Sequence, residues 1–174
     1  MREKLQFNLI FVVISVLSII AISQLIGSIN AINPQQSFSA KLSGINEVPP
    51  VSTSASGTAQ FKLSPDNKTM SYTISANNIN SVTESHIHQG KTGQNGPSIV
   101  QLTIADSKMD YGCQCMLPAI GDGKLTSDNL KGPMAGKQIS DLITLIKNGQ
   151  AYVNIHTQKN TNGEIRGQIL QATK

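Results

Sequence analysis

The chain has 174 residues, of which 39% are hydrophobic and 14% are charged. This length and composition suit one folded domain preceded by a targeting segment, and they exclude a disordered protein. The formal charge is +4; without residues 1–33 it is +3, from 12 basic and 9 acidic side chains that are scattered along the chain. Because aromatic residues are few, tryptophan is absent and no basic cluster occurs, the sequence excludes a nucleic-acid-binding surface.

An apolar N-terminal segment predicts export from the cytoplasm. Arg2 and Lys4 precede an apolar run over residues 9–26, in which only Ser and one Gln are polar. The run lies between the about 7–15 apolar residues of a secretory signal and the about 20 of a membrane-spanning helix. We therefore predict that residues 1–33 form a hydrophobic helix, either a cleaved signal peptide or an uncleaved membrane anchor. Residues 34–174 are then an extracytoplasmic domain.

Alternation of apolar and polar residues predicts short β-strands along this domain. Seven such runs are separated by turns rich in Gly, Pro, Asn and Ser, and they cover residues 37–43, 57–63, 70–75, 81–89, 98–105, 151–157 and 164–171. Ile139, Leu142, Ile143 and Ile146 recur at helical spacing before a stop at Gly149. The pattern predicts an all-β fold: a Greek-key sandwich or barrel of about seven to eight antiparallel strands with one amphipathic helix.

A long loop over residues 106–122 carries both cysteines of the chain. Cys113 and Cys115 are one residue apart, and Met109 and Met116 lie near them in sequence. A disulfide between the two cysteines would close a very small, strained ring and would be labile. The four sulfur atoms are soft donors that suit Cu(I), so these residues are candidate additional metal ligands. The alternative is a loop whose thiols pair with each other or with another chain.

All three histidines are predicted to project from β-strands. His86 and His88 flank Ile87, so on an extended strand both imidazoles leave one face while Ile87 enters the core. His156 lies on the polar face of a later alternating strand. Three neutral imidazoles with room for a water molecule form a recurrent site for zinc or copper. The alternative is three histidines that are solvated or bonded to loop backbone.

Three further polar residues belong to the predicted last two strands. Glu164 and Arg166 share one face of the last strand at positions i and i+2, and we interpret them as a structural charged pair bridging strands rather than a catalytic acid or an anion site. Asn154 shares the polar face of its strand with His156. It is a candidate hydrogen-bond partner behind a metal ligand, as are Glu84 and the backbone of residues 90–97.

Four segments resemble the CHRD domain, a module named after chordin and also found singly in many bacterial and archaeal exported proteins. They are FSAKLSGINEVPPV (residues 38–51), HIHQG (86–90) followed by Gly96-Pro97, GQAYVNIHT (149–157) and GEIRGQI (163–169). In this order they resemble the family from about residue 37 to 170. The family pattern covers these positions of the chain: His86, His88, Gly90, Gly96, Pro97, Tyr152, Asn154, His156, Gly163, Glu164, Arg166 and Gly167.

The resemblance implies an extracellular module without an assigned catalytic activity, because in chordin the domain belongs to an extracellular antagonist of growth-factor signalling. The chain departs from the family near Thr161, where the family often has Pro, and in the cysteine loop, which is not part of the family pattern. A weaker likeness is to copper-zinc superoxide dismutase, which also has a His-x-His strand and a distant strand-borne histidine on a Greek-key scaffold. Three histidines cannot complete both metal sites of that enzyme.

Three hypotheses about function follow. We favour an exported or membrane-anchored, non-catalytic module that binds an unknown extracellular protein, a matrix component, or a copper or zinc ion through His86, His88 and His156. The second hypothesis is a mononuclear copper enzyme or electron carrier resembling superoxide dismutase, and the third is a purely structural cell-surface domain. Because ligand imidazoles must be neutral, the first two predict metal retention that weakens below about pH 6.

Overall fold

The computed structural model describes residues 35–102 and 121–172, all within one compact unit, Gln35–Lys174. One α-helix, α1 (Ile139–Lys147), lies between the sixth and seventh strands of these ranges. The strands are β1 (Ser37–Ser43), β2 (Ser56–Leu63), β3 (Met70–Asn77), β4 (Val82–Gln89), β5 (Ser98–Leu102), β6 (Gly121–Leu125), β7 (Ala151–Thr157), β8 (Ile165–Gln168) and β9 (Leu170–Gln171).

Several predicted features lie outside the described residues and stay predictions. They are the N-terminal segment 1–33, the end of the predicted fifth strand (103–105), and the sulfur residues Met109, Cys113, Cys115 and Met116. The described residues contain no helix with the length and hydrophobicity of a membrane span.

The strands form one antiparallel sheet that curls into a nearly closed barrel. Their order is β5-β4-β7-β8-β1-β2-β3-β6, and β9 pairs with β1. The two edges approach each other just after β6, where Leu130 bridges to Val100 of β5 and the Lys131 N–H donates to the Ile99 carbonyl at 2.8 Å. One half of the sheet is β5-β4-β7-β8 and the other is β1-β2-β3-β6, and the chain crosses from one half to the other after β3, β5 and β6. The predicted all-β, antiparallel architecture with one helix is confirmed.

The half formed by β1, β2 and β3 follows the predicted alternation. In β1, every second residue is buried, and Phe38 lies opposite Phe61 of β2, which in turn lies opposite Tyr72 of β3. The Phe61 and Tyr72 ring centroids are 6.4 Å apart. Aromatic cross-strand neighbours of this kind contribute burial and packing energy together, so this row fixes the register of the three strands.

The other half centres on β7, which is buried along its whole length. Val153 lies opposite Ile87 of β4, and both belong to the core. The residues that alternate with Val153, namely Tyr152, Asn154 and His156, face outward and are nevertheless buried. Residues 44–54, 90–97 and 158–163 lie over this face, through contacts described below. We call the outward side of β4, β7 and β8 the outer face.

Helix α1 confirms the predicted helical repeat: Ile139, Leu142, Ile143 and Ile146 are buried, and Leu145 is partly buried against the core. It begins where the Asp141 carboxylate accepts a hydrogen bond from the Gln138 N–H at 2.8 Å, which satisfies a backbone donor that the first turn leaves free. It ends before Gly149, whose φ of 66° lies in the left-handed region that glycine adopts without strain. The helix packs against β7 and β9.

Two strand assignments differ from the sequence prediction. The loop predicted to run to Asp122 ends earlier, because β6 begins at Gly121. The two glycines of β6 hide its strand character, yet Gly123 is required there, since a Cβ at that position would overlap the Tyr72 ring of the paired strand. The predicted last strand, 164–171, is divided into β8, which pairs with β7, and β9, which pairs with β1.

Candidate metal centre

The three histidines lie together on the outer face. His86 and His88 come from β4 and His156 from the adjacent β7, where His156 is opposite Glu84 and so diagonal to His86. Their ring centroids are 5.2 to 5.9 Å apart. One ligand nitrogen from each ring lies within 4.8 Å of the others. Strand alternation and the β4–β7 register thus bring residues 70 positions apart in the chain to one point.

Backbone carbonyls orient two of the three imidazoles. His88 Nδ1 lies 2.9 Å from the Gly96 carbonyl oxygen, and His156 Nδ1 lies 3.0 Å from the Thr161 carbonyl oxygen. A carbonyl oxygen only accepts hydrogen bonds, so each Nδ1 carries the proton and each neutral ring keeps its lone pair on Nε2. This arrangement is typical of metal-binding histidines, whose distal nitrogen is held by a carbonyl or a carboxylate.

The third imidazole, that of His86, has its neighbouring polar group at Nε2 rather than at Nδ1. His86 Nε2 lies 3.8 Å from a carboxylate oxygen of Glu84, which is more than half exposed. His86 Nδ1, His88 Nε2 and His156 Nε2 are buried and have no hydrogen-bond partner among residues 35–102 and 121–172. A buried acceptor without a partner costs free energy. Three of them in one cluster are a donor set that fits a cation.

The geometry fits zinc or copper after a small contraction. With metal–nitrogen bonds of about 2.0–2.1 Å, ligand nitrogens lie about 3–4 Å apart. The spacing of up to 4.8 Å in the cluster therefore has to close by about 1 Å. Imidazole nitrogen is a preferred ligand of both metals, and three protein ligands leave a position for water or another donor.

Burial favours the neutral form of His86 and of His88. It lowers the pKa of His86, and the neighbouring His156 lowers it further, whereas Glu84 acts in the opposite direction. Burial also lowers the pKa of His88, against the opposing effect of its hydrogen bond to Gly96. Both groups are therefore uncharged near neutral pH and can bind a metal without first losing a proton.

Glu164 does not pair with Arg166, so the predicted charged pair is wrong; no ion pair joins them within the described part of the chain. The reason is that β8 begins only at Ile165, so strand alternation does not extend to Glu164. Its carboxylate instead accepts hydrogen bonds from the Thr53 and Thr157 hydroxyls at 2.8 and 2.7 Å. Burial alone would raise the pKa of Glu164, but these hydrogen bonds outweigh it and the pKa is lowered.

Arg166 joins two loops to β8. Its Nε donates to the Asn46 carbonyl, and its Nη1 donates to Asn95 Oδ1 at 2.8 Å and to the Gln94 carbonyl at 3.4 Å. The third residue of the predicted set, Asn154, donates from Nδ2 to the Asn162 carbonyl at 3.3 Å. Among the described residues, neither side chain hydrogen-bonds to a histidine, and each instead holds a loop over the outer face.

Tyr152 is a site residue that sequence reasoning named only through the family pattern. Its ring stacks on His88, with centroids 5.1 Å apart and planes 15° apart, and the Arg166 guanidinium carbon lies 4.8 Å from its centroid. Since β7 lies between β4 and β8, the ring stands between imidazole and guanidinium. Its hydroxyl accepts a hydrogen bond from the Gly96 N–H at 3.2 Å. The alternation of residues 151–157 was the sequence signal available for Tyr152, because it puts this residue on the same face as His156.

Glu47 was missed altogether, because it lies in the proline-containing loop after β1, which the sequence marks only as irregular. Its side chain is buried, and one carboxylate oxygen has no hydrogen-bond partner among the described residues. Burial raises the pKa of Glu47 to about 7, against the opposing effect of Arg166. A Cβ at Gly163 would overlap the side chains of both Glu47 and Asn154. The loop that carries Glu47 and the turn that carries Gly163 therefore meet closely over β7.

Glu47→Gln should remove a pH dependence of stability. Between its ordinary pKa of 4.5 and about 7, Glu47 is protonated in the folded chain and ionised in the unfolded chain. The folded state then binds more protons, so its stability falls with rising pH by up to about 1.4 kcal/mol per pH unit. Denaturant unfolding at pH 5, 6, 7 and 8 measures the free energy of unfolding of wild type and variant, and the difference between them should change with pH by this slope. A difference that is the same at all four pH values would contradict the prediction.

No curated protein matches the chain significantly. The family model described as the CHRD domain matches residues 38–169, a range that includes all three histidines, Glu164, Arg166, all of β1 except its first residue, and every element from β2 to β8. The match covers most of the chain and nearly all of the compact unit. The chain therefore belongs to the CHRD domain family.

Proposed function

We propose that this protein is an exported, non-catalytic CHRD module that binds one copper or zinc ion through His86, His88 and His156. Export is supported by the family, whose domains are generally extracellular, and by the apolar N-terminal run in the sequence. The metal site is supported by a single observation: three imidazoles on two adjacent strands each have a buried nitrogen without a partner among the described residues, and one ligand nitrogen of each ring lies within 4.8 Å of the others.

The chemistry of the ligand set supports binding rather than turnover. The only carboxylate within 4 Å of a histidine nitrogen in the described ranges is that of Glu84, and it approaches Nε2 of His86. When bound, the ion would supply Lewis acidity and, for copper, redox chemistry. The protein's residues hold the ion: Gly96 and Thr161 fix two tautomers, and Tyr152 packs against His88.

The direct test is metal retention by the purified full chain. We expect about one equivalent of Cu(II) or Zn(II) to remain after incubation and extensive dialysis, measured by elemental analysis. Mg(II) serves as the control ion, because it prefers oxygen ligands and should be removed. Retention of neither copper nor zinc above the level of the dialysis buffer would reject the proposed site. Superoxide turnover by the copper-loaded chain would reject its non-catalytic part.

Metal retention should depend on pH in one direction. Because burial lowers the pKa values of His86 and His88 from 6.5, both rings stay neutral somewhat below pH 6.5 and are protonated only at lower pH. Protons compete with the ion once the pH falls through these lowered values, so affinity should be flat from pH 8 to about 6.5 and fall below it. Competition with a chromophoric chelator measures the affinity. Equal affinity at pH 8 and pH 5 would exclude imidazole ligands.

A further inference from the structure

We propose that a cleft on the Arg166 side of Tyr152 binds a small oxyanion, a carboxylate or a phosphate, through the Arg166 guanidinium. The cleft has a volume of about 90 Å³ and is lined by Asn46, Thr92, Gly93, Tyr152, Arg166, Gly167 and Gln168. It is separated from the imidazole cluster by the Tyr152 ring. This site does not depend on the metal and goes beyond the proposed function.

The first argument is that Arg166 is a buried charge without a counter-ion. Its side chain is only 3% exposed, and no carboxylate lies within ion-pair distance of it in the described ranges. Its hydrogen bonds go to two backbone carbonyls and one amide oxygen, all neutral, and they use Nε and Nη1. A buried guanidinium normally has a negative partner, because desolvation of an unpaired charge costs several kcal/mol.

The second argument is the composition of the cleft. Its lining contains one positive charge, no carboxylate and several neutral polar groups. The Tyr152 ring forms one wall at 4.8 Å from the guanidinium carbon. Arginine is the side chain best suited to carboxylate and phosphate groups, and a low-dielectric wall strengthens its attraction for them. The size of the cleft limits the ligand to a small ion or to the terminal group of a larger molecule.

The third argument concerns the acid Glu47. It acts on Arg166 electrostatically, but because burial raises its pKa to about 7, it is substantially protonated at neutral pH and only partly offsets the guanidinium charge. Arg166 is the charged group that faces Glu47 from β8, whereas β7 presents the neutral Asn154 and the following turn presents Gly163. Ionised Glu47 would compete with a bound anion, so anion affinity should fall as the pH rises through 7.

The test is calorimetric titration of the full chain with sodium acetate and with sodium phosphate, at constant ionic strength maintained by sodium chloride. We expect saturable binding of at least one of the two oxyanions at pH 6.5, and the two arms distinguish a carboxylate from a phosphate ligand. Thr92→Glu places a carboxylate on the exposed rim of the cleft and should weaken binding at least tenfold. Ser140→Glu adds the same charge at an exposed position of helix α1, outside the cleft, and should change the affinity less than twofold.

The pH dependence provides a second test that does not require a change at Arg166. Acetate is used here because it stays anionic between pH 6 and 8, whereas phosphate changes its charge. Wild-type affinity for acetate should fall several-fold from pH 6 to 8, and the affinity of Glu47→Gln should stay constant. Absence of saturable binding, equal weakening by Thr92→Glu and Ser140→Glu, or the same pH dependence in wild type and Glu47→Gln would overturn the proposal.

Discussion

His156→Ala is expected to lower the affinity of the chain for Cu(II) or Zn(II) by at least about 100-fold, since loss of a ligand should cost no less than loss of a residue that merely orients one. Among the described residues, His156 is the only proposed ligand contributed by β7, so the variant leaves two imidazoles from a single strand. Competition with a chelator at pH 7.5 measures the change.

The matched control is Gln158→Ala, an exposed position just beyond the end of β7. It should bind metal like the wild type. Thermal unfolding of both metal-free variants tells ligand loss from misfolding, because the removal of His156 also deletes its hydrogen bond to Thr161. If a folded His156→Ala chain bound metal with wild-type affinity, this residue could not be a ligand.

Gly96→Ala is expected to reduce stability by about 3 kcal/mol and metal affinity by about 10- to 100-fold. A Cβ at this position would overlap the Gln89 carbonyl oxygen, a backbone atom that cannot rotate away. The loop must therefore shift. Gly96 also accepts the hydrogen bond of His88 Nδ1 and donates its N–H to Tyr152, so the shift releases the orientation of one proposed ligand.

Denaturant unfolding of the metal-free chain and chelator competition measure the two effects separately. Gly93→Asn in the same loop is the control: nothing lies within 4 Å of a Cβ there, and asparagine tolerates the φ of 78° better than other residues with a side chain. It should leave metal affinity unchanged. If Gly96→Ala lost stability but kept full affinity, the orientation of His88 by the Gly96 carbonyl would be unimportant for binding.

The local parts of the fold were predictable, because they depend on residue alternation alone. The strand with His86 and His88, the strand with His156 and helix α1 all follow from apolar residues at periods of two or 3.6. The same alternation put the three imidazoles on the polar faces of their strands. Their meeting also required β4 and β7 to be neighbours, which the sequence pattern does not specify and the structure provides.

The residues that complete the outer face were not predictable in the same way. The backbone of residues 90–97 was among the predicted hydrogen-bond partners of a histidine, and the Gly96 carbonyl fills that place. Glu47 and the Thr161 carbonyl lie in two other loops, and their positions depend on how each loop folds over β7. Glu164 was assigned to a strand that begins one residue later, which is why its predicted pairing with Arg166 was wrong. Loop conformation and exact strand ends depend on long-range contacts, so periodicity does not determine them.

The enclosure of β7 on both sides has a consequence for hydrogen exchange. The strand is paired with β4 and β8, and its outward residues are covered by loops from three parts of the chain. Local fraying cannot expose the amide protons in its centre, so Val153, Asn154 and Ile155 should exchange with deuterium only when the whole barrel opens. Any ligand held by His156 then rests on a strand that opens only with the whole barrel.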